Sequence, residues 1–142
     1  MNDLIYELLL LADPSEKLVN DYVSRGRVFT ASYCDVIVGE YVLIHTRPET
    51  IEIVNIAIKE DYQSKGLGKL LLKDAIKKAL AYGAKILEIG TANSSIFQLA
   101  LYQKLGFRIT GIDKDFFLKH YDEPIYENGI QCLDMIRLQI EL

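Results

Sequence analysis

Apolar and polar positions divide the first half of the chain into a series of short elements. A continuous apolar run over residues 4–12 predicts a first strand. Asp13 and Pro14 predict the start of a helix, with Asp at the cap and Pro at the first helical position, and Gly26 ends this helix. Alternating and apolar runs then predict three further strands, at residues 27–33, 36–46 and 51–58.

The second half switches between helical and strand periodicity. Leucine and alanine recur at helical spacing from Gly66 to Tyr82, which predicts a long helix with one apolar face. Ser95 with Gln98 three residues later is typical of a capping box at the start of the next helix, which Gly106 ends. Apolar runs predict strands at residues 85–91, 107–112 and 130–140, with a short helical turn at residues 115–121. With no repeat or linker, residues 1–142 are predicted to form one domain around a mixed sheet.

Composition excludes several classes of function. The net charge of -4 disfavours a nucleic-acid partner, because such partners need a basic face. Cys34 and Cys132 are too few for a disulfide scaffold and lack metal-ligand spacing, as do His45 and His120, so we expect no metal. A Cys/His nucleophile pair would also lack an identifiable third group to orient it. The N-terminus does not resemble a signal peptide and no uncharged run reaches about 18 residues, so we expect a cytoplasmic protein that does not span a membrane.

The most informative segment lies between the strand at residues 51–58 and the long helix, and it reads Gln63-Ser64-Lys65-Gly66-Leu67-Gly68-Lys69. A glycine-bearing loop that opens a helix presents backbone N–H groups and positive dipole potential to an anion, so it predicts a phosphate site. A Walker loop is excluded, because Gln63 stands where its first glycine belongs and Leu70 where its Ser or Thr belongs. The dinucleotide fingerprint is disfavoured, because Leu71 replaces its third glycine. An ordinary turn between a strand and a helix is the alternative interpretation.

A second motif identifies a family. The loop, with Gln followed by x-x-Gly-x-Gly, resembles the acetyl-CoA loop of the GNAT N-acetyltransferases. Tyr102-Gln103-Lys104-Leu105-Gly106-Phe107, near the end of the following helix, resembles the other hallmark of that family. The resemblance covers residues 51–112 well, and the N-terminal third matches in element order only. It implies an α/β (α+β) GNAT fold, with a mostly antiparallel mixed sheet of six to seven strands, flanking helices and a splay between two central parallel strands.

The resemblance also implies a set of residues that bind acetyl-CoA. The backbone of Ile56, Ala57 and Ile58 would bond the pantetheine arm, with a bulge near Asn55 and Ile56 opening the cleft. Backbone N–H groups of Gln63, Ser64, Lys65, Gly66, Leu67, Gly68 and Lys69 would hold the pyrophosphate. Asn93 resembles the asparagine that contacts coenzyme A, and Ser95 is its rival, because Ser95 has the family's commoner spacing to the tyrosine.

Acetyl transfer to an amine needs a proton donor for the leaving thiolate and a base for the ammonium. Tyr102 resembles the family's general acid. Glu52 is the predicted base, because its strand resembles the base-bearing strand of histone-acetylating members. Glu40 on the preceding strand, or a chain of waters, remains an alternative. Carboxylates in the connection at residues 122–128 would suit a cationic acceptor.

The predicted function is acetyl-CoA-dependent N-acetyl transfer to a primary amine, on a small molecule or a protein, by direct transfer through a tetrahedral intermediate. The alternatives are a non-catalytic acetyl-CoA-binding sensor and a phosphate-loop protein for another nucleotide. A homodimer through the C-terminal strands is also predicted as one option, since Ile136, Leu138 and Ile140 would either pair across an edge or belong to the core.

Overall fold

A computed structural model describes residues 2–142, and the chain divides into two compact units. The first unit runs to Leu87 and includes Leu142; the second is Glu88–Glu141. The elements of the first unit are α1 (Asp3–Ala12), α2 (Glu16–Arg25), β1 (Arg27–Tyr33), β2 (Val36–Arg47), β3 (Thr50–Ile58), a 3-10 turn (Glu60–Tyr62) and α3 (Leu67–Ala81). Next come β4 (Ile86–Ala92), α4 (Ile96–Lys104), β5 (Arg108–Asp113), α5 (Phe116–His120), β6 (Tyr126–Glu127), β7 (Ile130–Gln131) and β8 (Met135–Glu141).

Six of these strands form one sheet in the order β1-β2-β3-β4-β8-β5. The sheet is mostly antiparallel, with one parallel pair, β3 and β4, and helices flank it, so the predicted α/β fold class is confirmed. β6 and β7 form a separate two-stranded ribbon. No helix in residues 2–142 is both long enough and apolar enough to cross a membrane.

The prediction of a first strand at residues 4–12 is wrong, because this segment is helix α1. A continuous apolar run has no period of its own, and leucine is among the better helix formers. Asn2 caps the helix, and its side chain accepts a hydrogen bond from the backbone N–H of Leu4 at 2.8 Å. Leu8 and Leu9 are buried, whereas Leu4 and Leu11 are exposed.

Helix α2 begins two residues later than predicted. Ser15, rather than Asp13, is the N-cap, and its hydroxyl accepts a hydrogen bond from the N–H of Leu18 at 3.2 Å. Asp13 instead accepts from the N–H of Ser15 at 3.1 Å, so it forms the turn that leads into the cap. The first unit therefore has two N-terminal helices where the sequence predicted one.

The three strands of the first unit form the predicted antiparallel meander, with a turn at Cys34 and Asp35, both at positive φ. One face of β2 packs on α1 and α2, because Val42 and Ile44 share a buried cluster with Leu9 of α1 and with α2 residues Val19 and Tyr22. The other face packs on α3, where the hydroxyl of Tyr41 donates to Asp74 at 2.5 Å. Burial and this hydrogen bond raise the pKa of Tyr41, so the link is a neutral phenol on a carboxylate.

A β-bulge interrupts β3, one residue upstream of the predicted position. Val42 pairs with Asn55, whereas its neighbour Leu43 pairs with Ile53, so Val54 is the extra residue. Asn55 therefore keeps its side chain on the face covered by α1 and α2, opposite Val42.

In the second unit, the predicted strand at residues 130–140 is two strands, β7 and β8, separated by residues 132–134, which belong to neither strand. The side-chain oxygen of Asn93 accepts hydrogen bonds from the backbone N–H groups of Leu133, at 2.8 Å, and Asp134, at 3.0 Å. These donors are therefore satisfied without a strand partner.

Of the two roles predicted for Ile136, Leu138 and Ile140, pairing across an open edge is contradicted by the sheet order. β8 lies between β4 and β5 in the sheet order, so both of its edges are already paired. Leu138, at the centre of β8, is 1% exposed and belongs to the core.

Candidate functional site

The segment between β3 and α3 has the backbone of an anion site. Ser64 and Gly66 both have positive φ, at 62° and 82°, and Gly66 is the residue from which α3 begins. No side chain caps this helix. The N–H groups of its first turn have no partner within the helix, so they are available to an anion. A Cβ built on Gly66 would meet nothing within 4 Å, which means that the loop leaves open space above the helix end.

Side chains hold this loop and add positive charge to it. The Gln63 amide donates to the carbonyl of Ile58 at 2.9 Å, which ties the loop to the end of β3. The Lys65 ammonium lies 5.6 Å from the centroid of the Tyr62 ring, and both Lys65 and Lys69 are exposed. The seven predicted loop residues therefore lie together at one helix N-terminus, and two of them are exposed lysines.

The strand segment predicted for the pantetheine arm leads directly into that loop. Ile56, Ala57 and Ile58 pair along one edge with Tyr41, Glu40 and Gly39 of β2. A Cβ on Gly39 would lie 3.2 Å from the carbonyl oxygen of Ala57 and 3.0 Å from a methyl of Leu71, so glycine allows close packing here.

The two predicted base candidates lie on the same face of the sheet but differ in environment. Glu40 pairs with Ala57 and is 0% exposed, and burial raises the pKa of its carboxyl to about 8. Glu52 pairs with Ile44 and is half-buried. Along β2, Glu40 is four residues from the position opposite Glu52, which corresponds to roughly 13 Å.

Tyr102 is a buried residue of the second unit. Its side chain is 5% exposed, near the end of α4, and its ring centroid is 6.1 Å from that of Phe107. Burial, together with the negative charge of Glu127, raises the pKa of the Tyr102 phenol well above its usual range. The hydroxyl is therefore protonated at neutral pH.

The two candidate contacts to coenzyme A after β4 both have partners within the second unit. The Asn93 amide donates to the carbonyl of Gln131 at 3.1 Å, while its oxygen holds the turn before β8. The Ser95 hydroxyl donates to Glu127, with 3.0 and 3.2 Å to the two carboxylate oxygens. Ser95 is the N-cap of α4 but makes no side-chain cap bond, so the predicted capping box is wrong.

A polar cluster that the sequence did not indicate surrounds Cys132. The Cys132 sulfur lies 3.0 Å from the Ser94 hydroxyl and 3.6 Å from Glu127, and the Asn128 amide donates to the Ser94 carbonyl at 2.9 Å. Burial raises the pKa of the Cys132 thiol, and Glu127 raises it further, so this cysteine is unsuited to act as a nucleophile at neutral pH. Across residues 2–142, no group of three or more His, Cys, Asp and Glu side chains is placed to hold a metal ion.

Asn55 is a further residue whose importance the sequence did not reveal. Its amide donates to the backbone carbonyl of Leu9 at 2.9 Å and to the Tyr22 hydroxyl at 2.8 Å. A polar residue in the apolar run at residues 51–58 was the available signal. Its meaning depended on α1, which the sequence predicted to be a strand.

Comparison with known proteins supports the motif assignment. The acetyltransferase (GNAT) family model matches residues 6–107. A relative from Bacillus subtilis (strain 168), described as the uncharacterized N-acetyltransferase YvbK, is 62% identical over 141 residues, which covers 99% of this chain and 91% of the relative.

Solved structures agree with that match. A Bacillus subtilis acetyltransferase in complex with CoA has a TM-score of 0.96 and 61% identity, and the match covers 100% of this chain and 93% of that one. A GNAT family acetyltransferase from Elizabethkingia anophelis with acetyl-CoA bound has a TM-score of 0.95 and 55% identity, over 96% of this chain and 90% of that one. The family model alone spans well over half of the chain, and it includes both motifs. This chain therefore belongs to the GNAT family of acetyltransferases.

Proposed function

We propose that this protein is an acetyl-CoA-dependent N-acetyltransferase that moves an acetyl group to a primary amine by direct transfer. The observation that carries the proposal is the uncapped N-terminus of α3, where Gly66 is at positive φ and leaves open space above the helix end. Relatives at 61% and 55% identity were solved with CoA and acetyl-CoA, which supports the same ligand for this chain.

The roles of the binding residues follow from the chemistry of coenzyme A. Backbone N–H groups of residues 63–69 would bind the diphosphate, because they combine free donors with the positive end of the helix dipole. The backbone of residues 56–58 would bond the pantetheine arm as an added strand edge. Asn93 would contact coenzyme A through its second amide N–H, and Ser95 through its hydroxyl oxygen as an acceptor, because the other Asn93 N–H and the Ser95 O–H already have partners.

The reaction itself requires three proton transfers. The acceptor ammonium loses a proton to a base, and its lone pair then attacks the thioester carbonyl to form a tetrahedral oxyanion. When the intermediate collapses, the C–S bond breaks and the thiolate takes a proton from Tyr102, while the attacking nitrogen gives up its second proton to the resulting phenolate. We propose Glu52 as the base, with Glu40 as the alternative. Because burial holds the Glu40 pKa at about 8, a Glu40 base would make kcat/KM rise through that pH.

Two glycines of the same helix provide a matched test of the anion site. Gly66 and Gly83 lie beyond opposite ends of α3, both have positive φ near 80°, and a Cβ at either would meet nothing within 4 Å. Gly66→Asp and Gly83→Asp therefore impose similar backbone strain and add the same charge. We expect Gly66→Asp to weaken acetyl-CoA binding at least tenfold in calorimetry, through repulsion of the phosphates, and Gly83→Asp to leave binding unchanged. Equal affinities in the two variants would refute the loop assignment.

A further inference from the structure

Strand β5 forms one edge of the six-stranded sheet, and its side chains do not protect that edge from pairing. One side of β5 pairs with β8, and its outer side has no strand partner within residues 2–142. Ile109 and Ile112 are 52% and 61% exposed. Residues 108–113 contain no lysine and no proline, the residue types that commonly blunt an open edge. The outer side of β5 therefore presents its backbone and two isoleucines to another strand.

A β-bulge places these two isoleucines on one face of the sheet. Thr110 is the extra residue, because the register with β8 shifts between residues 109 and 111. Ile109 pairs with Leu138 and Ile112 pairs with Ile136, and residues two apart on β8 point to the same face. In a regular strand, residues 109 and 112 would point to opposite faces. The bulge therefore creates an exposed apolar pair beside Leu138, which belongs to the core.

The opposite face of β5 carries one charge of each sign, at the two ends of the strand. Arg108 pairs with Gln139 and Asp113 pairs with Met135, so both side chains lie on the second face. Both residues are exposed. Two nitrogens of Arg137 lie 2.7 and 2.6 Å from one oxygen of Asp113, and a carboxylate has enough lone pairs to accept from a second guanidinium as well.

These positions match a second copy of the same strand that runs in the opposite direction. About a two-fold axis at Gly111, Ile109 of each copy lies opposite Ile112 of the other. Arg108 of each copy then lies opposite Asp113 of the other. Every pair shares a face, as antiparallel pairing requires, because the bulge is left out of both strands. Opposite charges and β-branched side chains that face each other across two strands stabilise their pairing.

The strand at the other end of the sheet, β1, lacks this match. It begins at Arg27, ends at Tyr33 and contains no acidic residue, so two antiparallel copies would bring no opposite charges together. Its side chains also have partners within their own chain. The Phe29 and Tyr41 rings stack with 5.1 Å between their centroids, and the Arg27 guanidinium lies 4.5 Å from the centroid of the Tyr82 ring. Self-complementarity therefore distinguishes β5 from β1.

From this geometry we propose that the outer edge of β5 is a homodimer interface, through which the sheets of two copies join at residues 108–113. A second copy is the partner because this one segment supplies both halves of each charged pair and of each apolar pair. The interface differs from the predicted one, since both edges of β8 are already paired. The inference is independent of the proposed transferase function.

The first test measures mass in solution by sedimentation equilibrium. We expect the wild-type protein to reach twice the 16.2 kDa mass of one chain between micromolar and millimolar concentration. Ile109→Lys puts an ammonium into the interface twice per dimer, and it should weaken association by about tenfold or more. Leu80→Lys is the matched control, because Leu80 of α3 is also 52% exposed, and it should associate as the wild-type protein does. A single-chain mass at millimolar concentration, or equal association of the two variants, would overturn the proposal.

The second test reports the register. The two-fold axis brings residue 111 opposite its own copy, with Cβ atoms about 4.5–5.5 Å apart, close to the span of a disulfide. Residue 111 lies within a strand, and a Cβ there would meet nothing within 4 Å. A Cys34→Ser background removes the exposed native thiol and keeps the buried Cys132. In that background we expect Gly111→Cys to form a disulfide-linked dimer under mild oxidation.

Lys114→Cys in the same background is the control. Its thiol would lie roughly 20 Å from its copy, so it should remain a single chain on a non-reducing gel. Equal cross-linking of the two variants, or none in Gly111→Cys, would refute the β5 pairing, and this is also the result expected of a dimer formed through another surface.

Discussion

Each of the two units contains one notable glutamate, the buried Glu40 and the half-buried Glu127, and their environments are opposite. Glu40 in the first unit has no hydrogen-bond donor among the described residues. Glu127 in the second unit accepts a hydrogen bond from the Ser95 hydroxyl, which lies 3.0 and 3.2 Å from its two oxygens, and one from the Cys132 thiol. A carboxylate that already has its donors serves to hold structure, whereas one without them is available to a ligand that supplies donors.

This difference bears on one part of the expectation from sequence. The loop carboxylates at residues 122–128 were predicted to suit a cationic acceptor. One of them, Glu127, already accepts a hydrogen bond from Ser95 within its own unit. Glu40, an alternative base in the sequence analysis, is the group with unused acceptors. The residue type is the same at both positions, so the neighbouring donors decide the chemistry.

The largest expected effect concerns Tyr102, which Glu127 helps to keep protonated. Tyr102→Phe removes the proposed proton donor and retains the ring that packs near Phe107. We expect kcat to fall by about 100- to 10,000-fold with acetyl-CoA affinity unchanged, as stopped assays and calorimetry would show. Tyr126→Phe, at an exposed tyrosine of β6, is the control. Full activity in Tyr102→Phe would exclude the phenol as the acid, and loss of turnover without loss of binding would argue against a mere sensor.

The next largest effect concerns Glu40 and the dependence of the free energy of unfolding on pH. The folded pKa of Glu40 is about 8, against a usual value of 4.5, so between these values the folded chain holds a proton that the unfolded chain has lost. The stability contribution of this proton is complete below pH 4.5 and is lost as pH rises through 8. From pH 4.5 to 7 the wild-type free energy of unfolding should lose roughly 3 kcal/mol through this group.

Urea denaturation at several pH values measures this effect. Glu40→Gln should remove that part of the slope, because glutamine does not titrate. The quantity to compare is the slope of the free energy of unfolding against pH. Absolute stability is not comparable between the two proteins, because the new amide adds N–H donors. Glu16→Gln should keep the wild-type slope. If Glu40→Gln and the wild-type protein showed parallel curves, the buried carboxylate would not be titrating as described.

The smallest effect probes the other carboxylate. Ser95→Ala removes the donor to Glu127 and should cost about 1 kcal/mol of unfolding free energy in urea. Ser94→Ala, which removes a contact to the neutral Cys132 thiol, should cost less. The affinity of the Ser95→Ala variant for acetyl-CoA should be measured as well. A lower affinity would indicate that Ser95 contacts coenzyme A, and would contradict a role limited to the hydrogen bond with Glu127.

Sequence patterns predicted elements well wherever periodicity was clear. The helix after Gly66 and the strands of the β1–β2–β3 meander were predicted to within about two residues of their observed ends. The first helix was missed because every residue from 4 to 12 except Glu7 is apolar, and such a run carries no usable period. The last strand was predicted as one piece because the bonds from Asn93 to Leu133 and Asp134 join residues about 40 positions apart.

The sequence alone determined the family and the phosphate loop, because both depend on short local motifs whose backbone chemistry is set by glycine and by the start of a helix. Tertiary structure decided which acidic side chains have donors. Glu40 and Asn55 share a patch only because the bulge at Val54 sets their register and α1 covers their face. Ser95 serves Glu127 rather than its own helix for the same kind of reason: hydrogen-bond partners are chosen by proximity in space, which no local pattern encodes.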